Sequence, residues 1–186
     1  MEAIRTIRCA PLISTVGGAE TRYDARPGPP GPSAWKERRV GLTERELAFL
    51  DQHHSAAMAT LRSDGSPHVV RVGAAMVDGN LWSSGTGSRV RTGHLRRDPR
   101  STLFVFDRAW RGLALDSTVT ILEGPDAPEQ NLRLFQVMQR GMQPGPSPGN
   151  LMWEGTERSP EEFLRIMAEE RRLIYQFEVI RTYGLF

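Results

Sequence analysis

Residues Val77–Asp107 read VDGNLWSSGTGSRVRTGHLRRDPRSTLFVFD. The segment opens on Asp78-Gly79-Asn80, a strong hairpin-turn signal, and runs into the short strand LWSSG. Small, glycine-broken residues then lead into an arginine-rich segment. A helix is predicted over Ser88–Asp98, stopped by Pro99. STLFVFD comes next as a continuous apolar run, predicted to be a strand buried on both faces.

The pattern continues on both sides. Upstream, SAAMATLR ends in Ser63-Asp64-Gly65, a second turn signal, and PHVVRVGAAMV returns toward Asp78. Before them, TERELAFLDQ has Thr43 as N-cap and Glu46 three residues on, a capping box, with Leu47 and Leu50 on one face. Downstream, GLALDSTVTIL alternates, with Leu113, Leu115, Val119 and Ile121 on one side. LIYQFEVI alternates with Leu173, Tyr175, Phe177 and Val179 inward. Two helices interrupt the strands: PEQNLRLFQVMQR, with Leu132, Phe135 and Met138 on one stripe, and SPEEFLRIMAEERR, capped by Ser159 with Pro160 in its first turn. Six antiparallel strands with marginal helices predict a mainly β (α+β) domain over 41–186, a closed or half-closed barrel.

The chain has 186 residues, 39% hydrophobic, and a formal net charge of +2. That suits one domain with a real core and argues against a polycation that coats nucleic acid. Lys36 is the only lysine. Cys9 is the only cysteine, so no intramolecular disulfide forms. Residues 1–40, with the run ARPGPPGPSAW, read as a flexible arm without helix or central strand. No apolar run is long enough to cross a membrane, and MEAIRTIRCAPLIST makes a poor secretory signal, so a cytoplasmic protein is expected. No histidine or acidic cluster points to a metal, and no serine has an evident histidine and acid partner.

The anion-binding signal lies at the start of the basic helix. Ser88 is predicted to cap it, leaving backbone N–H groups facing forward at the positive end of the dipole. Arg89 and Arg91 in that first turn oppose the dipole, a cost that a bound phosphate would offset. Arg96, Arg97 and Arg100 lie at the other end, where cations suit the dipole. GTGSRV is neither a dinucleotide fingerprint nor a P-loop. His68, on the strand after Pro67, reads as a surface histidine with a proton donor as the alternative.

The segments ATLRSDGSPHVVRVG and VDGNLWSSGTGSRVRTGHLRRDPRSTLFVFD together resemble the core of the pyridoxamine 5′-phosphate oxidase-like split β-barrel proteins, and most of all their coenzyme F420-dependent branch. The resemblance covers about residues 43–186 and rests on Ala59-Thr60-Leu61, Asp64-Gly65, Pro67, Ser83-Ser84, Ser88 to Arg100, and Tyr183-Gly184. It implies a six-stranded split barrel with flanking helices. It also implies cofactor contacts from Val70, Arg71, Val72, Ser83, Ser84, Ser88, Arg89, Arg91 and His94. Arg91 stands where that branch usually carries lysine, and His94 where it usually carries asparagine. Val70–Ala75 lacks the lysine of the sibling FMN oxidases, which favours coenzyme F420 over FMN. The implied activity is hydride transfer from the reduced deazaflavin to an unsaturated or conjugated small-molecule acceptor, in a homodimer with no nucleic-acid or membrane partner. An FMN-dependent oxidase or flavin reductase of the same fold, and a non-catalytic cofactor carrier, are the alternatives. The long segment Met142–Arg158 carries Met142, Leu151, Met152 and Trp153, and these are expected to cover the cofactor ring or the acceptor pocket.

Overall fold

Two glycine-containing turns set the first half of the architecture. Asp78 (φ 49°) and Gly79 (φ 78°) both adopt left-handed backbone, the pairing a two-residue hairpin needs. They join β2 (Pro67–Val77) to β3 (Asn80–Thr86), as the Asp64-Gly65 turn joins β1 (Ser55–Leu61) to β2. The remaining elements are α1 (Glu44–Gln52), α2 (Val90–Arg97), β4 (Arg100–Phe106), β5 (Gly112–Leu122), α3 (Ala127–Met138), β6 (Leu151–Trp153), β7 (Thr156–Arg158), α4 (Pro160–Glu169) and β8 (Arg172–Leu185). This computed structural model describes residues 40–186. The arm expected over residues 1–40 therefore lies outside the described residues except for Val40, whose N–H donates to the Val179 carbonyl at 3.1 Å.

Six strands close into an antiparallel barrel in the order β1-β2-β3-β8-β5-β4. Alternation along each strand fills its interior. Met58, Leu103, Leu113, Leu115 and Tyr175 are fully buried, with Val72, Leu81, Val119, Leu173 and Phe177 around them. Each large aliphatic side chain so buried contributes about 1.5–3 kcal/mol. Leu95 of α2 and Phe49 and Leu50 of α1 join the same cluster. Two of the helices start where expected. Thr43 and Glu46 form the capping box of α1, and Ser159 with Glu162 that of α4.

Four expectations need correction. β4 buries only one face: Leu103 and Val105 point inward, while Phe104 is 42% exposed beside Phe106 on the outer face. An uninterrupted apolar run hides this alternation, because both residue sets are apolar. In α1, Phe49 and Leu50 face the core and Leu47 is exposed, a rotation of the helix by about one position. The expected α3 stripe divides. Leu132 and Phe135 pack toward α4, and Met138 packs with Leu134 and Val137 against Ala75, Val77, Trp82 and Ile174 of the barrel. Finally, the long segment after α3 ends in a small hairpin, β6–β7. Its Trp153 packs edge-on against Phe135 (5.2 Å) and Phe163 (5.7 Å), and Leu151 is buried with them. Leu151 and Trp153 thus pin the hairpin to α3 and α4, while Met142 is exposed.

Candidate functional site

The seam between β2 and β3 is paired over only part of its length. Pairing runs from Val77↔Asn80 to Ala74↔Ser83 and stops. β2 continues along β1 to Pro67↔Leu61, and β3 continues along β8 to Thr86↔Arg172. The two strands part beyond that point. The register fixes which backbone groups face the opening. The Ala74 N–H donates to the His54 carbonyl on the β1 side, so Val72, Val70 and His68 share that direction. Arg71 and Val69 turn their N–H and C=O groups the other way, into the opening, where β3 offers no ladder partner. Gly73 faces the same way, and its carbonyl is taken by the Ser83 hydroxyl at 2.7 Å. An open ladder edge of this kind offers donors and acceptors in a fixed row.

Helix α2 stands at the wide end of the opening. Its N-cap is Arg89, with no side-chain cap, and this corrects the expectation for Ser88. The Ser88 hydroxyl instead lies 3.2 Å from that of Thr86. With Thr92 N–H already bonded to the Arg89 carbonyl, the Val90 and Arg91 N–H groups remain at the helix entrance. Arg89 is exposed. Arg91 is half-buried, with Nη2 3.4 Å from the Ser84 carbonyl, its guanidinium 5.6 Å from the Tyr175 ring centre, and its Nε buried without a partner.

The support under Arg91 is built from fully buried groups. The Thr92 hydroxyl donates to the Thr86 carbonyl (2.7 Å), so the Tyr175 hydroxyl, 2.6 Å away, donates to Thr92. Gly85 makes this possible. A Cβ there would lie 2.3–2.5 Å from three Tyr175 ring and hydroxyl atoms.

The residues implied by resemblance fall into different settings. Val70 and Val72 send their side chains into the core cluster, and Arg71 is exposed on the outer face. Ser83 is fully buried and bonded to Gly73. The Ser84 hydroxyl donates to Asn131 of α3 and lies 3.5 Å from Nη1 of Arg172. Both serine protons are thus already engaged within the protein. His94 pairs with Thr60 (Nδ1 to Oγ1, 3.0 Å) and meets His68 edge-on at 5.1 Å. Its imidazole is held below the ordinary histidine range by desolvation and then by His68, Arg97 and Arg62. His68 is partly buried, with Nδ1 unpartnered. Sequence reasoning missed Val69, Thr92 and Asn131. Val69 was recoverable from the strand phase once the register is known. Thr92 and Asn131 carry no local signal.

The barrel also presents an apolar outer surface. Val69, Phe104, Tyr183 and Leu185 are exposed on its strands. Between them Asp116, buried at a β-bulge, accepts from Thr102 (2.8 Å), Arg181 and Tyr183. Among the described residues no helix is long and apolar enough to cross a membrane.

The fold is a closed six-stranded antiparallel barrel with four flanking helices. The family model of pyridoxamine 5′-phosphate oxidase matches residues 42–175, and the chain belongs to that family. A 32-residue stretch, 17% of the chain, is 56% identical to an F420H(2)-dependent biliverdin reductase of Mycobacterium tuberculosis (strain CDC 1551 / Oshkosh). The match spans 23% of that relative's length. Among solved structures, a conserved hypothetical protein of M. tuberculosis superposes with TM-score 0.57 at 21% identity, over 80% of this chain and 87% of the other. An F420 reductase superposes with TM-score 0.55 at 18% identity, over 76% and 98%. A pyridoxamine 5′-phosphate oxidase-like protein of Listeria innocua gives TM-score 0.52 at 14% identity, over 76% and 96%. These likenesses establish a shared fold.

Proposed function

We propose that the protein is a coenzyme F420-dependent reductase that passes a hydride to an unsaturated or conjugated small-molecule acceptor. The observation that carries this reading is the conjunction of an open backbone edge at Val69 and Arg71 with an uncapped helix entrance flanked by Arg89 and Arg91. A flavin or deazaflavin has the matching pair of ends: an imide edge, with one N–H between two carbonyls, and a phosphate-bearing chain. The residues present therefore fit the group. Backbone N–H and C=O groups of Val69 and Arg71 would hold the imide edge. Arg89, Arg91 and the first N–H groups of α2 would hold the phosphate. The fixed ladder supplies orientation without reorganisation. When bound, the reduced deazaflavin supplies the hydride. The F420-dependent relative and the absence of lysine from Val70–Ala75 support the deazaflavin over FMN.

The apolar outer surface with Phe104, Tyr183 and Leu185 supports a homodimer, because such a patch is a typical subunit interface. Light scattering is expected to return twice the 20.8 kDa chain mass, and a monomer at micromolar concentration would remove the dimer from this reading.

The deciding experiment is a pair of titrations of the purified chain, one with coenzyme F420 and one with FMN, read by fluorescence. Tighter binding of F420, and oxidation of its reduced form faster than in buffer on addition of a conjugated acceptor, is the expected result. Tighter FMN binding transfers the reading to a flavin enzyme. Binding of F420 without accelerated oxidation across an acceptor panel makes the protein a carrier.

A further inference from the structure

A cavity of about 500 Å³ lies on the outer face between the end of α1, the start of β1 and the β4–β5 turn. His53, His54, Arg71, Phe106 and Arg108 line it. It shares Arg71 with the parted seam: the backbone of that residue faces the opening, and its side chain lines the cavity.

The unmatched charge along this cavity is positive. Arg71 and Arg108 have no hydrogen-bond or ion-pair partner among the described residues, whereas Arg100, Arg172 and Arg181 are matched to Asp98, Glu170 and Asp116. Asp107 is a carboxylate of the lining, and its oxygens are consumed within the turn. Oδ1 accepts from the Ala109 and Arg111 N–H groups (2.7 and 2.9 Å), and Oδ2 from Arg111 Nε (2.6 Å). Nε2 of His53 is buried without a partner. His54 Nδ1 is bonded to the Ala74 carbonyl at 3.2 Å. The wall is aromatic: Phe106 stacks near-parallel on Phe104, with ring centres 5.9 Å apart. Two unmatched guanidinium groups on one concave surface repel each other unless an anion lies between them, and guanidinium favours carboxylate through paired N–H donors.

The geometry points to an acceptor subsite for a carboxylate on a flat apolar body, the carboxylate held by Arg71 and Arg108 and the body lying against Phe106. Its assignment to the acceptor rests on the reductase reading; the carboxylate subsite itself rests on the cavity alone.

The test uses the full chain and two probes of equal shape, 2-naphthoate and 2-naphthamide, in calorimetric titrations. The acid is expected to bind about tenfold more tightly than the amide, the scale of a charge-assisted pair. Arg108→Gln should bring the two within about twofold while leaving amide binding unchanged, and Arg108→Lys should restore part of the preference. Arg108 is exposed on a turn, and equal melting temperatures would show that the variants fold. Equal binding of acid and amide, binding of neither, or a preference that survives Arg108→Gln would overturn the proposal. Titration of the same samples with coenzyme F420 separates the two claims. A parent that fails to bind F420 but keeps the acid preference sinks the cofactor reading alone, and the reverse sinks this subsite alone.

Discussion

The β5–β8 seam and the β2–β3 seam are built from the same antiparallel geometry and end in opposite conditions. β5 and β8 pair from Gly112↔Leu185 to Leu122↔Ile174, with one bulge between Asp116 and Ser117. Even that bulge is closed from the side by Asp116, whose carboxylate accepts hydrogen bonds from Thr102, Arg181 and Tyr183. β2 and β3 pair from Val77↔Asn80 only as far as Ala74↔Ser83. Past Ala74 the two strands part; on the β3 side Gly85 packs against the Tyr175 ring, and Arg91 of α2 reaches the Ser84 carbonyl. A closed seam satisfies its backbone groups internally and contributes stability. A parted seam leaves them for a ligand and depends on neighbouring buried groups to stay open.

The strongest way to break that difference is to overpack the β3 side of the parted seam. Gly85→Ala places a Cβ within 2.5 Å of the Tyr175 ring and hydroxyl, in a site with no free volume. We expect a loss of about 3 kcal/mol, from overpacking. Chemical denaturation should show a lower midpoint with an unchanged slope. A midpoint equal to that of the parent would mean Tyr175 does not pack against Gly85.

Next in size is the removal of charge at the start of α2. Arg89→Ala and Arg91→Ala should each weaken coenzyme F420 by about 2 kcal/mol, the scale of a hydrogen bond to a charged group. Folding stability should hardly move, because cations at a helix start oppose the dipole. Parent-like affinity in both variants would detach the cofactor from α2.

The closed seam should respond the other way. Asp116→Asn keeps an oxygen for Thr102 and loses the charge facing Arg181, whose side chain is 66% exposed. Solvent screening limits the cost to about 1 kcal/mol of stability. Cofactor affinity should stay at the parental value, and a change there would show that the two seams communicate.

How far the sequence already carried this contrast differs between its two halves. Turn chemistry at Asp64-Gly65 and Asp78-Gly79, the Thr43 and Ser159 caps, and the inward set Leu173, Tyr175, Phe177 and Val179 were all legible, because each depends on local geometry. The place where β2 leaves β3 was not. It is a property of pairing between strands, and Val69-Val70-Arg71-Val72 looks uniform until a register assigns alternate residues to β1 and to the opening. The cap of α2 was misplaced by one residue because Ser88 has a competing partner in Thr86. Trp153 looked like a lid residue because exposure was inferred from a proline-rich setting, and its true partners, Phe135 and Phe163, come from two separate helices.

The smallest expected effect is a pH dependence that touches both sides of β2. His54, bonded to Ala74, and His94, bonded to Thr60, are both held below the ordinary histidine value, in each case first by desolvation. The unfolded chain therefore takes up these protons first. Stability should be full above about pH 6.5 and should decline as the pH falls from there toward the depressed folded values. His54→Gln should flatten part of that decline in melting curves taken between about pH 7 and pH 5. An unchanged slope would mean that His54 is as easily protonated in the fold as outside it.

The register that turns Val69 and Arg71 toward the opening also divides β2 by kinetics. Val70 and Val72 direct their N–H groups to β1, and in heavy water they should keep their protons long after the amides of Val69 and Arg71 have exchanged. The strand thus carries a slow–fast alternation with a period of two residues. A ligand seated along the edge would slow the fast members and erase it, so that occupancy of the seam can be read amide by amide without any chemistry taking place.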